Sequence, residues 1–323
     1  MKKISLLLML ITVLLAAGCN KQEPVNTEHV NVTIAGLKGP TSIGMIKMID
    51  EKVLNTDKYN VSYVTESAPD ALTGKIINGE IQISSVPINL APVLYNKTGG
   101  KVQLMAVNTI GNLYIVGTDD IESIGELEGK MLGMSAKGST PDFAMNYLLN
   151  QNNISDKVEL NYAMDHATMS QSVITEDTKV ALLPQPFVTQ TMIKNSNVKI
   201  LVDLNEAWKA ATDNTSQLYT GAVIVNKDFA ENNKDFVEEF LKQYEASVNW
   251  VLENQKDASL LVEKNEIMPS AAVVEKAIPY CGIVYEPAHN VKDGLNEFYK
   301  ILFDSNPASV GGKLPDEGFY FTK

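Results

Sequence analysis

The sequence predicts an α/β protein of two lobes, each a mixed or mainly parallel sheet flanked by helices, with a cleft between the lobes. Three observations carry this. Strand-like and helix-like segments alternate along the chain, as in sheets whose strands are joined by crossover helices. The alternation comes in two successive series. The first strand of each series also ends in a matching turn, Lys38-Gly39-Pro40-Thr41 in one and Lys137-Gly138-Ser139-Thr140 in the other.

In chain order, "NVTIAG" (31–36) alternates β-branched and small residues and reads as a strand, and the apolar spacing over 42–54 is helical. "NVSYVT" (60–65) is a strand, "PDALTGKIING" (69–79) a helix opened by proline, and "IQISSV" (81–86) and "KVQLMAVN" (101–108) are strands. The second series begins after "GTDDIESIGELEGK" with the strand "MLGMSA" (131–136), a helix from Pro141, and the strands "VELNYA" (158–163), "KVALLP" (179–184) and "VKILVD" (198–203). "YTGAVIVN" (219–226) is then followed by helical sequence nearly to the end, clearest over 228–254. The extended "LYIVGT" and "LYTGAVIV" are expected to be the crossings between lobes. This gives residues 31–115 and 222–323 to lobe 1 and 118–220 to lobe 2.

The length of 323 residues, 45% of them hydrophobic, suffices for two such domains. A formal charge of −12 leaves no excess of positive charge for a polyanion, so nucleic acid is not an expected partner. The chain has no arginine, which removes bidentate guanidinium recognition of carboxylate, sulfonate or phosphate. Histidine occurs only at 29, 166 and 289, and HExxH, CxxC and GxSxG elements are absent, so neither catalysis nor a metal or cofactor is expected.

Ligands of open α/β sheets bind beyond the carboxyl ends of the strands, near helix N-termini. The candidate binding residues are therefore Lys38, Gly39, Pro40, Thr41 and Ser42 in the first turn, and Gly138, Ser139, Thr140 and Pro141 in its counterpart. Ser84 and Ser85 lie at a strand end, Gln185 sits between Pro184 and Pro186, and Tyr219 and Thr220 open a crossing strand. Asp165 and His166 also follow a strand. Phe143, Phe187 and Trp208 read as packing residues, and Asp142 would repel an anion if it faced the cleft. The first turn is no nucleotide loop: Lys38 precedes Gly39 and Pro40 follows it, whereas phosphate-cradling loops need Gly-Lys-Ser/Thr at the helix entrance.

The N-terminus reads as a leader. Lys2 and Lys3 precede the apolar "ISLLLMLITVLLA", and "AAGC" places small residues before Cys19. The apolar run is short for a ~30 Å bilayer core. Residues 1–18 resemble a bacterial lipoprotein signal, with Ala16 where leucine is favoured. The resemblance implies that Cys19 carries lipid and that 19–30 are a flexible tether outside the cytoplasmic membrane. Cys281 is then the one thiol left, so no internal disulfide is expected.

Over residues 31–323 the chain resembles the substrate-binding proteins of ABC transporters, more narrowly the nitrate, sulfonate, taurine and thiamine-precursor group with the two-crossing type II periplasmic-binding-protein fold. The residues that carry the resemblance are "LKGPT", "SIGELEGKMLGMSAKGSTPDF", "ALLPQPFVT", "LYTGAVIVNKDF" and "GGKLPDEGFYF", in that order. At Gln185 the group often has glutamate. The resemblance implies a monomeric receptor that closes on a small polar or anionic solute, sulfonate- or nitrate-like, and delivers it to an ABC permease and its ATPase. A thiamine-pyrimidine-like solute, or a secreted enzyme or sensor on the same fold, stays open at this point.

Overall fold

The computed structural model describes residues 29–135 and 137–322. The leader, Cys19 and nearly all of the tether lie outside the described residues. Within them the strands are β1 (Val30–Leu37), β2 (Tyr59–Glu66), β3 (Ile83–Pro87), β4 (Val102–Ile110), β5 (Leu113–Gly117), β6 (Met131–Ser135), β7 (Glu159–Ala163), β8 (Val180–Pro184), β9 (Lys199–Asp203), β10 (Tyr219–Asn226) and β11 (Ile283–Pro287).

They form two sheets. One has six strands in the order β11-β4-β10-β3-β1-β2, and the other has five in the order β7-β6-β8-β5-β9. Each sheet is mixed. β1 runs parallel to β2 and β3, while β10 is antiparallel to β3 and β4. β6 runs parallel to β7 and β8, while β5 is antiparallel to β8 and β9.

The chain passes between the sheets twice. It leaves the first at Gly111–Asn112 and returns at Leu218. The two passages are tied to each other, the Gly111 amide donating to the Leu218 carbonyl at 2.9 Å. The Leu218 amide donates to Asn205 Oδ1 at 3.1 Å, bracing the return against helix Leu204–Ala211. Gly111 has φ +60, and a Cβ there would lie 2.7 Å from Asn205, so only glycine fits the bend. Leu113, Tyr114 and Ile115 therefore belong to the second sheet, not to the first as the sequence suggested. Tyr219 and Thr220 conversely open β10 in the first. An extended crossing satisfies its backbone groups by joining a sheet, so the crossings became β5 and β10.

Packing follows the apolar periodicity. Helix Lys234–Glu253 buries Phe236, Val237, Phe240, Leu241, Tyr244, Val248 and Val251, an i, i+3/i+4 stripe, against the first sheet. One core is continuous through both lobes and includes Leu104, Ile115, Leu182, Trp208 and Phe298. At its centre the Trp208 ring lies 5.2 Å from Phe298, which is 5.7 Å from Tyr219. Trp208 is thus a packing residue, as its sequence context suggested.

Three elements differ from the sequence reading. The helix expected over 42–54 starts at Pro40, breaks at Gly44–Met45 and ends at Glu51, with Lys52 left-handed. The helix expected over 228–254 is interrupted at Asn233, whose φ of −135 and ψ of 49 separate Lys227–Asn232 from the longer helix. The "helical" C-terminal third contains β11, an edge strand that the β-branched Ile283 and Val284 favour.

Candidate functional site: an interlobe cleft

Between the two sheets lies a cavity of ≈ 480 Å³. Its walls come from the loops after six parallel strands, those after β1, β2 and β3 in one lobe and after β6, β7 and β8 in the other, together with both crossings. Every parallel strand of both sheets thus points its carboxyl end at one space.

From the first lobe, Lys38, Pro40 and Thr41 line the cavity. Gly39 has φ +122 and ψ −158, and its carbonyl accepts from the Ser42 and Ile43 amides at 3.1 and 3.2 Å, which turns the chain into a helix of four residues. Asn108 Nδ2 donates to the Thr41 carbonyl at 3.3 Å, pinning the loop to β4. The loop after β3 presents Asn89, and the strand ends present Thr109 and Thr220, whose hydroxyls pair at 3.1 Å.

The second lobe contributes Lys137, Gly138, Ser139, Thr140 and Pro141. This turn is held by Asp142. Its Oδ2 accepts the Gly138 amide at 2.7 Å and its Oδ1 accepts from Tyr162 at 2.6 Å and Asn146 at 2.8 Å. The carboxylate faces these donors and does not line the cavity, so the repulsion of an anion that the sequence raised does not arise there. The Gly138 amide is occupied by the same contact. Gln185 is buried, its Oε1 accepting from the Thr189 amide and hydroxyl at 3.2 and 2.8 Å, which leaves its Nε2 as the remaining donor end.

The two turns matched in the sequence thus line one cavity, and a hydrogen bond spans it. Thr140 Oγ1, 1% exposed, donates to Asn89 Oδ1 at 2.9 Å. Asn89 in turn donates through Nδ2 to the Ser309 carbonyl at 3.4 Å.

Five candidates do not line the cavity. Gly39 shapes its turn from behind. Ser42 is buried over Gly36, where a Cβ would come within 2.3 Å of the Ser42 hydroxyl. Ser84 and Ser85 are buried within the first sheet, Ser85 accepting from Asn108 Nδ2 at 3.1 Å. Tyr219 is buried against Phe298. Ser84 and Ser85 point to opposite faces of β3 short of its carboxyl end, where the cleft opens.

Sequence reasoning missed Asn89, Thr109 and Asn112. Asn89 follows Pro87 two residues on, and Asn112 follows Gly111 at the crossing, so turn chemistry was the available signal. Asn112 is 6% exposed and lines the cavity, yet among the described residues no donor reaches its Oδ1. A buried acceptor left so costs about 1–3 kcal/mol.

The electrostatics are those of a neutral pocket with charged lips. Lys38, Asp70, Lys137 and Asp165 reach the cavity, and all four are exposed. The Lys137 ammonium sits 4.9 Å above the Tyr162 ring. Asp165 caps helix His166–Ile174, accepting the Thr168 amide at 2.7 Å, and this hydrogen bond lowers its pKa. His166 faces Phe187 with ring centroids 5.7 Å apart, and its Nδ1 lies 2.5 Å from the Ser135 hydroxyl. Burial pushes the imidazole down to about 4, so it is neutral at pH 7. Phe187, read from sequence as packing, lines the cavity with it.

A second hollow of ≈ 510 Å³ lies beside helix Lys292–Ser305, among Asp293, Glu297, Asp316 and Glu317. No candidate residue lines it. Among the described residues no group of three or more His, Cys, Asp or Glu side chains could hold a metal ion, and no helix is long and apolar enough to cross a membrane.

Comparison with known proteins agrees with this geometry. Residues 100–258 match the family model described as NMT1/THI5 like. No curated protein matches the chain. Among solved structures, an ABC transporter protein from Parabacteroides distasonis is 26% identical, with a TM-score of 0.76 over 90% of this chain and 99% of that one. The periplasmic aliphatic sulphonate-binding protein SsuA of Escherichia coli is 15% identical, with a TM-score of 0.71 over 90% of this chain and 92% of its own. The periplasmic nitrate-binding protein NrtA of Synechocystis is 14% identical, with a TM-score of 0.55 over 74% and 67%. The last two share the fold alone. With two mixed sheets facing one cleft, the chain has the type II periplasmic-binding-protein fold, and its central region is similar to the NMT1/THI5-like family.

Proposed function

We propose that the chain is the extracytoplasmic solute receptor of an ABC importer. It captures one small polar solute between its lobes and presents the closed form to a membrane permease driven by an ATPase. The observation that carries this reading is the pair of turns, 38–41 and 137–141, which come from different lobes to line one ≈ 480 Å³ cavity. Closure is a population shift and needs a solute with higher affinity for the closed form. Lys38, Pro40, Thr41, Gly138, Ser139, Thr140, Pro141, Gln185 and Thr220 are the proposed contacts. The protein acts as a monomer, tethered by lipid on Cys19. Replacing Cys19 with alanine is expected to move it from the membrane fraction to the soluble one. A variant that stays with the membrane contradicts the anchor.

The neighbours suggest a sulfonate or nitrate, but the wall itself favours a second reading. With no arginine in the chain and every charged wall residue exposed, a neutral ring such as a thiamine-pyrimidine precursor suits the interior better than a naked anion. The His166 and Phe187 rings supply an apolar flank for it. Catalysis is not part of the proposal. Ser135 and His166 form a pair, but the Asp165 carboxylate is turned to the Thr168 amide and not to the imidazole.

The test is a thermal-shift screen of nitrate, taurine, alkanesulfonates and aminopyrimidines, followed by calorimetry. A solute that binds the folded state raises the melting temperature by mass action. One-to-one binding without turnover supports the reading, and chemical conversion of a bound solute contradicts it.

A further inference from the structure

We infer that His166 is a specificity-determining residue, whose Nε2–H donates to an acceptor atom of a neutral nitrogen heterocycle laid against the Phe187 ring. The inference rests on the receptor reading and narrows it.

The imidazole lines the cavity beside Phe187, with the ring centroids 5.7 Å apart. Its two nitrogens point nearly opposite ways. Nδ1 is turned inward to the Ser135 hydroxyl, 2.5 Å away at the buried end of β6, so Nε2 points outward. Among the described residues Nε2 has no protein partner and, unlike the Asn112 oxygen, it is not sealed from solvent. The tautomer follows from Ser135. Its hydroxyl is 2% exposed, and among the described residues the imidazole is its one hydrogen-bond partner. The hydroxyl proton therefore needs the Nδ1 lone pair, since a proton on Nδ1 would leave it no acceptor. The bond made by one ring nitrogen decides which of the two is protonated, and here that is Nε2. The Asp165 carboxylate is turned to the Thr168 amide and does not compete for that proton. Burial keeps the imidazole neutral at pH 7, its pKa pushed down to about 4. The cleft thus offers a directional donor without a charge, next to an aromatic face. A ring nitrogen or ring carbonyl of a planar, uncharged solute matches both. An ammonium or N–H group in the same place would set donor against donor. Lys38 and Lys137, the cavity's cations, are exposed, so the interior supplies no counter-charge to an anion held at His166.

The test has two readouts. In the full chain carrying His29→Gln and His289→Gln, both at exposed positions, His166 is the last histidine, and long-range proton–nitrogen correlation NMR at pH 7 reads its tautomer directly. The Nε2–H form is expected. An Nδ1–H or doubly protonated ring overturns the inference, with no change at the site itself required. Calorimetry then compares nicotinamide and cytosine, as neutral heterocycles, with nitrate and ethanesulfonate at constant ionic strength. At least one neutral probe is expected to bind more tightly than either anion, and His166→Phe, which keeps a ring but no N–H, to weaken it tenfold or more. His166→Gln restores an N–H and is expected to recover part of that loss, which a merely structural ring would not allow. Tighter binding of nitrate or ethanesulfonate overturns the inference and leaves the receptor reading standing. It is equally overturned if both neutral probes fail to bind at millimolar concentration, or if His166→Phe binds a neutral probe as tightly as the parent.

Discussion

His166 gives the cleft a pH dependence whose sign can be worked out. Its imidazole is pushed to about 4 in the folded protein from an ordinary value of 6.5, so between these values the unfolded chain binds more protons. Stability is therefore lost as pH falls from 6.5 towards 4, by at most about 1.4 kcal/mol per pH unit from this one group. Urea unfolding at pH 4.5, 5.5 and 7 is expected to show this slope, and His166→Gln to flatten it. An unchanged slope in the variant contradicts the assignment. Thr140 makes a different contribution, since its hydroxyl bridges to Asn89 in the opposite lobe. Losing one such neutral hydrogen bond costs about 0.5–1.5 kcal/mol. Thr140→Val, which leaves the buried Asn89 oxygen unpaired, is thus expected to weaken solute binding up to about tenfold in calorimetry and also to lower the melting temperature. Thr140 was legible because "KGST" repeats "KGPT", and the spacing put its side chain at a helix entrance. Asn89 and Asn112 were not legible. An asparagine beside a turn has a local reason to be there, and only the fold brings these two to the same cavity as Gln185.

The crossings decide how the elements join. Gly111 bends with φ +60 against Asn205, so Gly111→Ala combines backbone strain with a clash and is expected to cost about 1–3 kcal/mol in chemical denaturation. Asn205→Ala in the same chain cannot relieve the whole loss, because Asn205 also accepts the Leu218 amide and a Cβ at position 205 remains. Equal stability of parent and Gly111→Ala contradicts a constrained passage. Gly39 has a different constraint. A Cβ there meets nothing within 4 Å, but φ is +122, so Gly39→Val acts through backbone strain and not by obstructing the cleft. Most strands could be read to within two residues because their alternation reflects burial that the sheet imposes. Breaks inside helices could not. Asn233 and the Gly44–Met45 step interrupt continuous apolar stripes, and the stripe alone gives no sign of an interruption that tertiary packing sets. β11 was hidden for a related reason, being a short edge strand within a region of strong helical patterning.

At the scale of the molecule, the recurrence of two strand-and-helix series made the two-sheet architecture legible, and the matching turns made the cleft legible. The identity of the solute was not, because it depends on which polar atoms stay unpaired after folding. As a receptor, the protein closes its lobes on a solute held between the turns at 38–41 and 137–141. Spin labels at Ser67→Cys and Met164→Cys would straddle the mouth of the cavity, where both residues are exposed. Cys281 is buried, and Cys19→Ala removes the other native thiol. Electron–electron double resonance on this chain is then the most direct measurement. A solute that raises the melting temperature is expected to collapse a broad distance distribution into one shorter, narrower population. An identical distribution with and without that solute would contradict the claim.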